Sequence, residues 1–148
     1  MTRTFLLLCL SMICIGVARA GDASVKVKIS SELGGEETTT FTPDTEKIYA
    51  LFKTIGAKNG DKLRGVLIAE DVGDVAPANS KVLETKLDLE GDTDDGDFNF
   101  SKPTSGWPVG KYRVDIYLND ELVTAAKFTV KAGSKKSKSD EEEESSGD

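Results

Sequence analysis

The chain has 148 residues, 38% of them hydrophobic, and a net charge of −7 at pH 7. It contains no histidine, which excludes the commonest general base near neutral pH and the commonest protein metal ligand. Its excess of acidic over basic residues disfavours binding to the phosphates of nucleic acids and to anionic membranes.

The first twenty residues predict a cleaved signal peptide. Arg3 gives a positive start, residues 5–17 form an apolar run, and Ala18 and Ala20 supply the small residues that precede a cleavage site. The apolar run is shorter than the roughly 20 residues that a membrane-spanning helix needs. We therefore expect a secreted or periplasmic protein whose mature chain begins at Gly21.

Cleavage at that point changes both the cysteine content and the charge. Cys9 and Cys14 are the only cysteines, and both lie in the predicted signal, so the mature chain has neither a disulfide nor a thiol nucleophile. Loss of Arg3 and Arg19 leaves 17 basic residues against 26 acidic ones, a net charge of −9. This surface favours cations and basic partners, and we expect no nucleic-acid partner and no membrane span in the mature chain.

Residues 21–131 have the length of one domain and a hydrophobic period of two. Apolar residues alternate with charged ones in 25–29 and again in 111–118, and turn signals rich in Gly, Pro and Asn separate such segments. Several short strands at this spacing predict an all-β sandwich.

One segment, residues 46–55, fits two structures. Ile48, Leu51, Phe52 and Ile55 have the spacing of a helix face, and Gly56 would end such a helix. The same residues also fit a short buried strand. We favour the strand because the surrounding pattern is all β and periodicity is ambiguous for short apolar runs.

Paired carboxylates follow the predicted central strand, the nearly continuous apolar segment at 63–70. Glu70 and Asp71, with Asp74 close by, would serve a carboxylate-using hydrolase of the kind that cleaves glycosides. The alternative is a strand end that runs into a polar turn, which we favour because loops are normally polar.

An acidic stretch with two glycines occupies residues 90–97. Its carboxylates would supply several of the oxygen ligands that calcium needs; they are Asp92, Asp94, Asp95 and Asp97. The EF-hand pattern fails, because counting from Asp92 places Gly96 at position 5 and Pro103 at position 12. We interpret the stretch as an acidic turn between strands at 83–89 and 98–100, with a calcium site as the alternative.

The last two predicted strands form a hairpin around residues 119–121. A two-residue loop would place Glu121 and Lys127 on the core side of the sheet, because a one-residue shift turns the whole strand over. A three-residue loop pairs Leu118 with Leu122 and Tyr112 with Phe128, so we predict the longer loop.

Residues 107–130, W-P-V-G-K-Y-R-V-D-I-Y-L-N-D-E-L-V-T-A-A-K-F-T-V, resemble the final hairpin of bacterial secreted immunoglobulin-like β-sandwich modules. The resemblance implies a sandwich of about seven antiparallel strands, with Tyr112 at the position of the tyrosine corner. Val114 stands where antibody domains have a cysteine, and Trp107 precedes its strand, so the resemblance is to the broader, non-antibody class. Most such modules are spacers, adhesion units or ligand-binding units.

Three aromatic residues are candidates for a sugar-binding platform: Trp107, Tyr49 and Tyr117. The alternative, which we favour, is that Trp107 closes the end of the sandwich beside Tyr112, because aromatic residues dominate small cores. Tyr117 is the better candidate for an exposed binding residue, since it shares the charged face of its strand.

The chain ends in a charged segment, residues 132–148, without aromatic or branched aliphatic residues. Such a composition predicts a disordered tail.

Together these features predict an exported, non-catalytic immunoglobulin-like module that acts in binding or as an accessory domain. We expect its partner to be an extracellular or periplasmic protein or glycan and expect no cofactor unless the acidic stretch binds calcium. The alternative functions are a carboxylate-using secreted hydrolase and a calcium-binding module that uses the loop at 90–97.

Overall fold

The computed structural model describes residues 23–133. The predicted signal peptide, with Ala18 and Ala20, and residues 134–148 of the predicted tail lie outside this range. The described chain forms eight strands: β1 Ser24–Ser30, β2 Thr40–Phe41, β3 Lys47–Ile55, β4 Lys62–Asp71, β5 Ser80–Asp88, β6 Asp95–Ser101, β7 Gly110–Leu118 and β8 Glu121–Val130. A single 3₁₀ turn, Gly73–Val75, follows β4. Within residues 23–133, no helix is long and apolar enough to cross a membrane.

The strands form two sheets that pack face to face. One sheet has the order β1-β3-β6, and the other has the order β2-β8-β7-β4-β5. All pairs are antiparallel except β2 with β8, a parallel pair of two residues. This distribution of strands between two packed sheets is that of an immunoglobulin-like sandwich, and the predicted all-β fold is confirmed.

The strand count is eight, whereas the sequence predicted about seven. The difference arises because the N-terminal part of the chain supplies one edge strand to each sheet. β1 pairs with β3 in the three-stranded sheet, and after residues 31–39 the chain adds β2 to the edge of the other sheet. Two residues are too few to produce a readable alternation in the sequence.

β3 settles the ambiguous segment at residues 46–55 as a strand. Ile48, Ala50, Phe52 and Thr54 are all buried, while Leu51 lies on the opposite face and is only half-buried. A helix would have placed Leu51 beside Ile48 in the core. The burial therefore follows a period of two, and the predicted strand is confirmed.

The loop of the last hairpin differs from its prediction. Asn119 and Asp120 have φ angles of 49° and 69°, which makes a two-residue loop with the left-handed backbone of a type I′ turn, and Leu118 pairs with Glu121. A β-bulge between Ile116 and Tyr117 then restores the register. The predicted three-residue loop is wrong, because the extra residue sits in the strand rather than in the turn.

The bulge separates two parts of the hairpin. On the side away from the turn, Tyr112 pairs with Phe128 as predicted. Between the bulge and the turn, Leu122 lies opposite Tyr117 on the outer face of the sheet and is 54% exposed, instead of joining Leu118 in the core.

A cluster of aromatic rings closes one end of the core. The Tyr112 hydroxyl donates to the Pro108 carbonyl oxygen at 2.7 Å, which is the bond of a tyrosine corner. The Tyr112 ring stacks on Phe128 at 5.2 Å and meets Trp107 edge-on at 6.2 Å. Trp107 is 3% exposed and donates its indole N–H to the Thr45 carbonyl oxygen at 2.8 Å. The core role of Trp107 is confirmed, and its place in a sugar-binding platform is wrong.

Candidate functional site

The first part of the acidic stretch is a hydrogen-bonded turn between β5 and β6. The Asp94 carboxylate accepts the backbone amides of Glu90 and Gly91 at 2.8 and 3.3 Å. Thr54 donates its amide to the Asp94 carbonyl oxygen at 2.8 Å, and the Asp94 amide donates to the Thr54 hydroxyl at 2.9 Å. Asp92 contributes its carbonyl oxygen to the Ala57 amide. These bonds tie the turn to the end of β3.

The last two aspartates of the stretch belong to β6 and not to the loop, so the predicted end of the loop at Asp97 is wrong. Asp95 pairs with Lys53 of the neighbouring strand at 3.4 Å, and Asp97 accepts the side-chain amide of Asn99 at 3.2 Å. In the described part of the chain, no three acidic side chains gather at one point that would hold a metal ion. Calcium binding by this stretch stays an untested alternative to the acidic turn.

Glu70 lies in a charged cluster on the outer face of the five-stranded sheet. Its carboxylate contacts the Arg113 guanidinium at 3.1 Å and the Lys127 ammonium at 3.2 Å. Arg113 also donates to Asp115 at 2.9 Å. Asp115 is 6% exposed, so its charge needs this partner in place of water.

This cluster sets the protonation state of Glu70. Burial raises the pKa of the carboxyl, but the hydrogen bonds and charges of Arg113 and Lys127 outweigh it and hold the pKa below its ordinary value. A general acid in a glycoside hydrolase requires the opposite shift. The exposed Asp71 carboxylate accepts the Gly73 amide at 3.2 Å and shapes the turn after β4. The arrangement of Glu70 and Asp71 therefore does not favour a hydrolase.

Tyr117 lies on the outer face of β7, as its charged neighbours predicted, but it is half-buried. The Arg64 guanidinium lies over its ring, 4.1 Å from the ring centre. Arg64 also contacts Asp120 in the hairpin turn at 3.4 Å. Leu122 flanks the ring from β8. We call Arg64, Tyr117 and Leu122 the Tyr117 patch.

Sequence reasoning identified Tyr117 but missed Arg64 and Leu122. Arg64 reaches the ring because β4 pairs with β7 in a register that sets it opposite Tyr117. Leu122 reaches it because of the bulge in the hairpin. The only local signal was the position of Arg64 among the outward-facing residues of its strand. The pairings of Arg64 and Leu122 with Tyr117 are not encoded in neighbouring residues.

The patch combines residue types that favour contact with a macromolecule. Arginine and tyrosine are enriched at protein interfaces, and a cation over an aromatic ring holds both side chains in place. The other candidate aromatic, Tyr49, lies on β3 in the opposite sheet and is also half-buried. The two tyrosines are therefore too far apart in the fold to form one platform.

No protein-family model matches the sequence, and no curated protein matches it significantly. Solved structures do match the fold. The chain is similar to the alkylpurine DNA glycosylase AlkC of Pseudomonas fluorescens, bound to DNA containing an abasic site analog, at a TM-score of 0.54 and 13% identity. The match covers 74% of this chain and 30% of the glycosylase. At this identity the likeness concerns the fold alone.

Two further structures match at lower TM-scores. An immunoglobulin-like protein from Pseudomonas aeruginosa has a TM-score of 0.42 and 15% identity, with 76% of this chain and 99% of that chain covered. A GH3 β-glucosidase from Bifidobacterium adolescentis has a TM-score of 0.40 and 11% identity, with 74% and 17% covered.

Proposed function

We propose that this protein is an exported, non-catalytic immunoglobulin-like module that binds an extracellular or periplasmic protein or glycan. The signal-peptide pattern of residues 1–20 supports export. The Tyr117 patch carries the proposal for binding, because it presents an arginine stacked on an aromatic ring, with an exposed leucine beside them, on the sheet surface.

The carboxylates that would serve catalysis support the same conclusion by their contacts. Glu70 is held by two cationic side chains, and Asp71 shapes a turn. Neither is arranged as a proton donor facing a nucleophile or base. The acidic surface of the mature chain also argues against a nucleic-acid partner, since such partners select for basic patches.

The test measures binding of the purified protein to a glycan array and to the secreted proteins of its source organism. Tyr117→Ala is compared with Tyr49→Ala, which removes a half-buried tyrosine from the opposite sheet. We expect saturable binding that Tyr117→Ala weakens by about tenfold or more, as truncation of an aromatic at the centre of an interface commonly does. Tyr49→Ala should bind as the wild type does.

Three outcomes would contradict this assignment. Equal loss in both variants would show a general effect on the fold, and full binding by Tyr117→Ala would place the contact surface elsewhere. Substrate turnover that Glu70→Gln abolishes would replace the binding function with a hydrolase.

A further inference from the structure

The outer edge of β5 is unpaired in the described part of the chain. β5 is the last strand of the five-stranded sheet, and among residues 23–133 it packs almost entirely against β4. Two of its apolar side chains face solvent, because Val82 is 48% exposed and Leu83 is 45% exposed. An edge that combines exposed apolar side chains with free backbone groups is suited to pairing with another strand.

The hydrogen bonds around β4 show which backbone groups of β5 face this edge. Lys62 donates its amide to the Asn119 side chain and accepts the Asn119 amide, so its backbone groups point away from β5. Backbone direction alternates along a strand, so those of Leu63 and Gly65 point toward β5 and meet Leu87 and Thr85.

The intervening residues of β5, Glu84 and Lys86, therefore direct their N–H and C=O groups outward. The Leu89 amide agrees with this parity, because it donates to the Asp61 carbonyl oxygen on the β4 side. The free edge thus offers three residues with full backbone hydrogen-bonding capacity, Glu84, Lys86 and Asp88. The first two of these carry opposite charges and flank Thr85.

We propose that β5 pairs with β5 of a second copy of this chain, antiparallel and about a two-fold axis at Thr85. In this register Glu84 lies opposite Lys86 of the second copy, and the relation occurs twice by symmetry. Leu83 lies opposite Leu87 of the second copy, also twice. Opposite charges and apolar pairs directly across an antiparallel ladder are both stabilising.

Two neighbouring registers would keep the same side chains on each face of the sheet and the same backbone groups at the contact. Both place like charges opposite each other. A shift in one direction sets Glu84 opposite Glu84, and a shift in the other sets Lys86 opposite Lys86. Like charges directly opposite each other are destabilising. Among these three registers, charge therefore favours the one centred on Thr85.

The two-fold contact uses the free edge of β5 in both copies, so it closes at two copies. A β-bulge lies between Leu67 and Ile68 on β4, opposite Lys81 and Leu83, and it disturbs the first part of β5. The other end of the five-stranded sheet is β2, which has only two residues. The dimer joins two sheets of five strands into one of ten. A contact this small predicts a weak dimer.

The experiment measures the mass of the purified protein by sedimentation equilibrium over a wide concentration range. The wild type should pass from monomer to dimer as concentration rises. Glu84→Lys and Lys86→Glu should each stay monomeric, because each sets like charges opposite each other. An equimolar mixture of the two variants should dimerise. In the mixed pair, the lysine introduced into one variant faces the glutamate introduced into the other, and the native Lys86 of the first faces the native Glu84 of the second.

Matched controls carry the same charge changes at exposed residues of other strands, Glu121→Lys and Lys111→Glu, and should dimerise as the wild type does. Far-UV circular dichroism verifies that every variant is folded. A wild type that stays monomeric up to its solubility limit overturns the proposal. So do single variants that dimerise normally, or a mixture that stays monomeric. The proposal does not rest on binding by the Tyr117 patch. Glu84 lies 3.8 Å from Arg64 of that patch, so Lys86→Glu is the single variant that alters no contact of the patch.

Discussion

Tyr112 joins the aromatic core to the backbone of the loop before its own strand. Its ring packs between Trp107 and Phe128, and its hydroxyl reaches the Pro108 carbonyl oxygen. Burial raises the pKa of the hydroxyl to about 12, so it stays a hydrogen-bond donor throughout the physiological range. One side chain thus fixes both the packing of the core and the path of the chain into β7.

Tyr112→Phe should lower the free energy of unfolding by about 1–3 kcal/mol, because the partly buried Pro108 carbonyl loses its donor. Urea denaturation followed by fluorescence measures this difference. Tyr117→Phe is the control, since its hydroxyl has no hydrogen-bond partner among residues 23–133. Equal stabilities for the two variants would contradict a structural role for the Tyr112 hydroxyl.

Glu70 makes the stability depend on acidity. Its pKa in the folded state lies below the ordinary value of 4.5, because Arg113 and Lys127 outweigh the effect of burial. The stabilisation by the ionised carboxylate is therefore complete above that ordinary value, and it is lost as the pH falls through the pKa of the folded state.

Glu70→Gln should consequently be less stable than the wild type at about pH 7. Between about pH 7 and about pH 3, its free energy of unfolding should fall by less than that of the wild type. Denaturant unfolding at both pH values measures how much the free energy of unfolding of each protein changes with pH. Asp74→Asn, which changes an exposed carboxylate without an ion pair in the described chain, should keep the wild-type slope. Parallel curves for wild type and Glu70→Gln would show that the cluster does not stabilise the fold.

At the scale of the strands, two glycines leave room for aromatic rings, one between the two sheets and one within the three-stranded sheet. A Cβ atom at Gly65 of β4 would lie 2.6 Å from the Phe98 ring of β6. A Cβ atom at Gly96 of β6 would lie at the same distance from the Phe52 ring. The two residues allow a ring from one strand to fill the space that a neighbouring side chain would occupy.

Gly65→Ala should destabilise the protein by about 1–3 kcal/mol, the usual cost of an extra carbon in a well-packed core. Thermal unfolding measures the change. Gly91→Ala is the matched control, because a Cβ atom there meets nothing within 4 Å. If the two variants melt together, the core near Phe98 must be loose enough to absorb a methyl group.

At the scale of the whole molecule, the predicted signal peptide would direct export of the chain from the cytoplasm. We expect the protein recovered outside the cytoplasm of its source to begin at Gly21, since Ala18 and Ala20 fit the residues before a cleavage site. N-terminal mass spectrometry of the exported fraction measures this directly. An intact Met1 in that fraction would contradict the prediction. An Ala20→Glu variant should be retained or left uncleaved.

Much of this fold follows from local patterns in the sequence. The alternation in β1 and β7 reflects one face against a core and one against solvent, a period that each strand carries within itself. The tyrosine corner was also predictable, because its hydroxyl meets a backbone group only four residues away. The acidic turn was predictable because aspartates and glycines suit tight backbone conformations.

Residues close together in the chain were enough to specify the all-β fold, most of its strands and the central role of Tyr112. The register of the last hairpin, the stacking of Arg64 on Tyr117 and the charged cluster around Glu70 emerged only from the packed fold. Each of these depends on which strands lie side by side and on where a bulge adds one residue. Most such pairings join residues tens of positions apart, and the energy of the whole core selects them rather than any local preference.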